Sequence, residues 1–171
     1  EEGLKAIEYP NVCSIQLIYN LFRQRPQELL FAQAKTKNVG LIARVPLASG
    51  LLTGKFTKES TFGKDDHRNF NRNGEAFDKG ETFSGIDYAT GLQAVEELKK
   101  IVPAGKTLAA LALKWILDFD AVSTVIPGAS KPEQVTRNLE ALNEQSLRAE
   151  QLQQVEAVYE KYIKQSVHHL W

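Results

Sequence analysis

Three short runs, Val12–Tyr19 (VCSIQLIY), Val39–Val45 (VGLIARV) and Val122–Ile126 (VSTVI), are apolar at odd and even positions alike. A strand with one wet face alternates, whereas a strand covered on both faces does not, so these runs predict strands of a parallel sheet or barrel wall. Their β-branched and aromatic content agrees. Stretches with helical spacing separate and follow them. Gln27–Lys37 has Pro26 near its start and Leu29, Leu30, Gln33 and Ala34 at helical spacing. Tyr88–Val102 and Leu108–Phe119 are joined by Pro103–Thr107; Thr107 is placed to cap the second, whose stripe is Leu108, Leu111, Ala112, Trp115 and Phe119. Ser130-Lys-Pro-Glu133 reads as a capping box opening another helix, and Leu152, Val155, Tyr159 and Tyr162 mark a last one. Alternating strands and helices give an α/β chain of parallel strands flanked by helices. Closing a barrel takes eight strands, and three would leave two apolar edges open. The chain therefore reads as part of a larger unit, and residues 1–171 alone are not expected to form a stable monomer.

Composition removes several alternatives. The 43% hydrophobic content is enough for a sizeable core, which excludes disorder for most of the chain. Twenty-one basic and 21 acidic residues cancel, so no nucleic-acid partner is expected. No apolar run reaches the roughly 18–20 residues that cross a bilayer, and the start has no signal-peptide core, so no membrane partner is expected either. A single cysteine suits a reducing, cytoplasmic setting. A chain that begins Glu-Glu and contains no methionine is expected to lack an upstream piece.

Chemistry concentrates in the loops after the runs. From about Ser49 to Gly85 the chain reads as one long irregular segment holding five phenylalanines, Phe56, Phe62, Phe70, Phe77 and Phe83, and is expected to be a lid. Val125–Asn138 runs from a strand through Gly128 into a capped helix. That is either an ordinary capped helix or an anion site built from free amides, with Ser130, Gln134 and Asn138 on one side. Arg44–Lys55 is either a plain glycine-containing loop with a solvated lysine or a cradle for a pyrophosphate; it does not meet the P-loop pattern. Gln16, an amide among apolar neighbours, needs a hydrogen-bond partner in the protein or in a ligand. Cys13 is expected to be a buried small hydrophobe. His67, His168 and His169 lack metal-ligand spacing, so no metal site is expected, and Asp65 and Asp66 read as solvated.

Three segments in order, Ser14-Ile-Gln-Leu-Ile-Tyr-Asn20, Arg44-Val-Pro-Leu-Ala-Ser-Gly-Leu-Leu-Thr-Gly-Lys55 and Val125-Ile-Pro-Gly-Ala-Ser130 with Gln134 and Asn138, resemble the C-terminal half of the aldo-keto reductase superfamily, in the branch of aryl-alcohol dehydrogenases and potassium-channel β-subunits. The resemblance implies a partial (β/α)8 TIM barrel and hydride transfer between NADPH and an aldehyde or ketone. It implies that Gln16 holds the nicotinamide carboxamide. Continuing from Arg44 and Val45, it places Pro46, Leu47, Ala48, Ser49 and Lys55 along the pyrophosphate. Gly128, Ser130, Gln134 and Asn138 would meet the adenosine 2′-phosphate and adenine, with Lys131 and Arg137 near and Arg68 of the lid as a further phosphate contact. Arg44 stands where some members place an aromatic under the nicotinamide, and Gln134 where many have an arginine. The family's catalytic Asp, Tyr, Lys and His lie on earlier strands; Tyr19, Tyr88, Tyr159 and Tyr162 do not occupy the tyrosine's position, so no catalytic residue is expected in this chain. The implied partners are a small carbonyl or alcohol substrate and an N-terminal half that completes the barrel. The alternative is a non-catalytic nucleotide-binding or subunit-interaction half-barrel that needs a partner chain.

Overall fold

The computed structural model describes residues 1–170. Three parallel strands, β1 (Ser14–Ile18), β2 (Gly40–Arg44) and β3 (Val122–Ile126), form one sheet in the order β1-β2-β3. Helix α1 (Glu2–Ala6) precedes them, and α2 (Leu30–Thr36) links β1 to β2. After β2 comes the segment of residues 49–85, called the lid for its expected role and holding one short α-helix, α3 (His67–Phe70), among 3-10 turns, then α4 (Tyr88–Lys99) and α5 (Leu108–Leu117) leading into β3. Beyond β3 lie α6 (Pro132–Glu140), α7 (Ala149–Val158), a π-turn (Tyr159–Ile163) and α8 (Lys164–Val167).

Register separates the two faces of the sheet. Ile15 pairs with Leu41 and Leu17 with Ala43, which pairs in turn with Val125. These side chains turn to the helices, and Leu41 and Ala43 are buried. There the Tyr19 ring stacks on Trp115 at 5.2 Å and meets Phe31 edge-on at 4.8 Å, and Leu111, Ala112 and Ile116 of α5 close the layer. The opposite face carries Ser14, Gln16, Ile42, Arg44, Thr124 and Ile126, all exposed or half-exposed. Only Ile18 on that face is buried.

The sequence misleads at this uncovered face and at a few single positions elsewhere. Apolar character on both sides of the strands predicts two covered faces, but this chain covers one. Cys13, on the flank of the edge strand β1, is exposed rather than buried. Leu29 also points outward, and α2 buries Phe31 and Ala34 in its place. In α7 the buried stripe is Gln151, Val155 and Val158, with Leu152 exposed. The Gln151 amide donates to Ile101 O at 3.1 Å, which is why a polar residue takes the inner position.

Candidate functional site

Parallel strands put all three C-terminal ends on one side of the sheet, and there the backbone is most strained. Val45 (φ 52°), Ala48 (48°), Ser49 (54°) and Gly50 (97°) follow β2 in the left-handed region; Phe83 (51°), Ser84 (60°) and Gly85 (79°) do so in the lid. Each non-glycine residue held there costs about 1–2 kcal/mol, so contacts must fix it. The two strained segments hold each other. Ser49 Oγ donates to Glu81 O at 3.0 Å and accepts from Phe83 N at 3.1 Å. Arg44, at the last residue of β2, donates to both carboxylate oxygens of Glu81 at 2.5 Å. Asn20, fully buried just beyond β1, donates to Val45 O at 2.8 Å and to Ser84 Oγ at 2.9 Å while accepting from Phe22 N. Arg23 Nε donates to Ser84 O at 2.8 Å. Burial pushes the Arg23 guanidinium down to about 10, partly opposed by the field of Asp78.

The rest of the lid is organised by polar side chains inside it. Buried Asn71 accepts from Ala76 N and Phe77 N and donates to Thr82 Oγ1. Asp66 caps α3 through Arg68 N and pairs with the Arg68 guanidinium, which holds its carboxyl down to about 2. Arg68 lies over the Phe62 ring at 4.6 Å and the Phe56 ring at 5.5 Å. Phe62 and Phe83 join this cluster beside Tyr88, whereas Phe70 and Phe77 pair at the exposed surface.

The segment after β3 is built differently. Gly128 is open, with no atom within 4 Å of where a Cβ would stand. Gln134 Oε1 accepts from Ser130 N at 2.6 Å, Lys131 N at 3.1 Å and Ser130 Oγ at 3.1 Å. The box at the start of α6 is thus closed by Gln134, not by Glu133, and the amides expected to be open already hold a side-chain oxygen. Asn138 Nδ2 reaches Gly128 O at 3.5 Å, and Lys131 and Arg137 are exposed.

Most of the expected residues therefore lie at or beyond the C-terminal ends of β2 and β3, with Gln16 mid-strand on the open face, in differing states. Gln16 projects from the open face, exposed, and its side-chain amide makes no hydrogen bond among the described residues. Lys55 is exposed, and Pro46, Leu47 and Ala48 form the strained turn beside Ser49. The Ser49 hydroxyl and the Arg68 and Arg44 guanidinium groups are occupied by the lid. Sequence reasoning missed Asn20, Arg23, Asn71 and Glu81. Only Asn20 carried a signal, as an amide directly after a buried strand. Among the described residues no His, Cys, Asp and Glu group could hold a metal ion, and no helix is long and apolar enough to cross a membrane. A nicotinamide dinucleotide fits this side of the sheet in its donor set: one uncommitted amide, a turn of left-handed residues, and exposed Lys131 at a helix start with exposed Arg137 in that helix's last turn.

Comparisons agree with this architecture. The family model for the aldo/keto reductase family matches residues 3–160. The chain is 36% identical over 133 residues to the aldo-keto reductase YhdN of Bacillus subtilis, covering 77% of this chain and 36% of that protein. It is 36% identical over 133 residues to a probable voltage-gated potassium channel subunit beta of Oryza sativa subsp. japonica, covering 73% and 37%. Among solved structures, the glycerol dehydrogenase of Gluconobacter oxydans superimposes with a TM-score of 0.70 at 29% identity, over 88% of this chain and 43% of that one. The chain thus spans less than half the length of these relatives. Three parallel strands, the loop chemistry at their ends and a match over most of its length establish that this chain belongs to the aldo/keto reductase family.

Proposed function

We propose that the chain is the cofactor-holding part of an NADP-dependent oxidoreductase in which hydride passes between NADPH and an aldehyde or ketone. The observation that supports it most is that Gln16 and Arg44 share the open face of the sheet, with the Val45–Gly50 turn and the Gly128–Asn138 segment leaving the strand ends on the Arg44 side. Gln16 bonds the carboxamide, and Pro46, Leu47, Ala48 and Lys55 follow the pyrophosphate while Ser49 steadies the lid above it. Lys131, Arg137 and the Ser130 hydroxyl attract the 2′-phosphate, with Arg68 farther out, and Gly128 and Asn138 flank the adenine. When bound, the dinucleotide supplies the hydride; this chain's residues orient it and exclude water. The acid–base groups come from a further (β/α) segment that completes the barrel. The exposed Cys13 thiol suits a reducing cytoplasm.

Titration with NADPH and NADH tests the assignment. One or two charge-assisted contacts to the 2′-phosphate, at about 1.5–3 kcal/mol each, favour NADPH by roughly ten- to several-hundred-fold, less at high salt. Ser130→Ala weakens NADPH and leaves NADH nearly unchanged. Gln134→Glu weakens NADPH further, because a charged oxygen then holds the two amides. Equal affinities, or equal losses on Ser130→Ala, refute the phosphate site.

A second reading, a non-catalytic half-barrel that binds nucleotide or a partner subunit, draws on a different observation. Helix α6 buries none of its residues, and Val135 and Leu139, followed by Leu142, stand exposed in helical register beside the open edge of β3. Reduction of 4-nitrobenzaldehyde separates the two. Under the enzyme reading the chain alone is inactive and gains turnover when a matching N-terminal half is added; under the second it stays inactive in the assembly.

A further inference from the structure

Resting on the dinucleotide reading above, the inner face at the end of β2 is where the nicotinamide ring lies, and Arg44 stands there. A bare guanidinium would set a full positive charge beside a ring that is cationic when oxidised and neutral when reduced. The structure does not leave it bare. Both carboxylate oxygens of Glu81 meet the Arg44 guanidinium at 2.5 Å in a two-point pairing that fixes its plane. The pair is sheltered, with side-chain exposures of 26% and 29%. Glu81 is itself fixed from behind, since its carbonyl accepts from Ser49 Oγ and its N–H donates to Asp78 O. Asp78 adds a second negative field on Arg44, and together these carboxylates raise the guanidinium above its usual range.

We propose that Glu81 is a positioning residue that holds Arg44 flat and neutralises it, so that the oxidised and reduced forms of the cofactor bind with comparable affinity. A planar, charge-balanced guanidinium–carboxylate pair then offers the ring a flat surface in place of an aromatic side chain. Removing either partner unbalances the surface, and the two removals act in opposite directions.

The experiment measures dissociation constants for NADP+ and NADPH with the full chain in the assembly it adopts in solution, for the unmodified protein, Glu81→Gln and Arg44→Gln. Glu81→Gln exposes the cation and weakens NADP+ by about tenfold more than NADPH, the size expected of one partly screened charge at contact range. Arg44→Gln leaves the carboxylate and shifts the ratio the other way, toward NADP+. A loosened lid without the charge effect weakens both forms equally, leaves the ratio untouched in either variant and overturns the proposal. Shifts of the same sign in both variants overturn it as well. If the unmodified protein binds neither form, the dinucleotide reading falls first and this inference with it. If Glu81→Gln does not fold, the sign of the Arg44→Gln shift still decides.

Discussion

The loop after β2 and the loop after β3 leave the same sheet edge and are built on opposite plans. The first is closed by the chain itself: buried Asn20, buried Arg23, Ser49 and the Arg44–Glu81 pair hold a lid of left-handed residues in one arrangement. The second is closed by Gln134, which holds two amides of an exposed turn, and by one long Asn138–Gly128 bond, and its helix buries nothing. Strain stored on one side is balanced by desolvated hydrogen bonds, which resist water. On the other side the same kinds of amide and helix end stay wet. The contrast assigns rigidity to the β2 loop and adaptability to the β3 loop.

Paired substitutions test this contrast most directly. Asn20→Ala removes three hydrogen bonds in a fully buried setting and leaves Phe22 N without a partner. Because Val45 O keeps its bond from Ala48 N, one orphaned amide remains, and the chain is expected to lose roughly 2 kcal/mol in urea unfolding. Asn138→Ala, losing one long bond at the surface, should stay within about 0.5 kcal/mol. Similar losses for both would erase the distinction. Gly50→Ala comes next: its φ of 97° is left-handed, and a Cβ would stand 2.9 Å from the Phe56 ring. About 2 kcal/mol is expected, with faster tryptic cleavage at Arg68 and Arg72. Gly128→Ala, in open space, should change stability by less than about 0.5 kcal/mol.

The smallest effect concerns acid. Asp66 has its pKa lowered from 3.8 to about 2 by the Arg68 hydrogen bond, so the folded state favours the charged form. Its contribution is fully present above pH 4 and is lost as pH falls toward 2. The pair is partly solvated, so less than about 1 kcal/mol is involved. Asp66→Asn should flatten the lid's acid sensitivity in that window, as read by proteolysis between pH 4.5 and 2. An unchanged profile would move the sensitivity elsewhere.

The strands were legible because unbroken apolar runs require cover, and β2 and β3 fall within a residue of where the runs predict them. Thr107 was legible as a cap by its position, and it accepts from Ala110 N. Parallel order also put the loops after β2 and β3 on one side of the sheet. Two single residues failed: Cys13, just ahead of edge strand β1, and Leu152, on the outer side of α7, look apolar in sequence but face water. The lid anchor was hidden for another reason. Left-handed backbone at Val45, Ala48, Ser49, Phe83 and Ser84 has no residue-type signature, because these are not glycines. Arg44 and Glu81 lie 37 positions apart, and nothing local joins them.

The consecutive strand order carries a kinetic consequence. Ser14 meets Gly40 across a short span, whereas Leu41 must wait for Val122, roughly three times as far along the chain. The β1–α2–β2 unit therefore has the cheaper closure and is expected to form first, with the lid and α4–α5 folding into place before β3 can add. Pulse-labelled hydrogen exchange would show Leu17 and Ala43 amides protected ahead of Val125. The strand that leads into Gly128 and Ser130 is then the last to arrive, so the β2 loop is in place during folding before the β3 loop is.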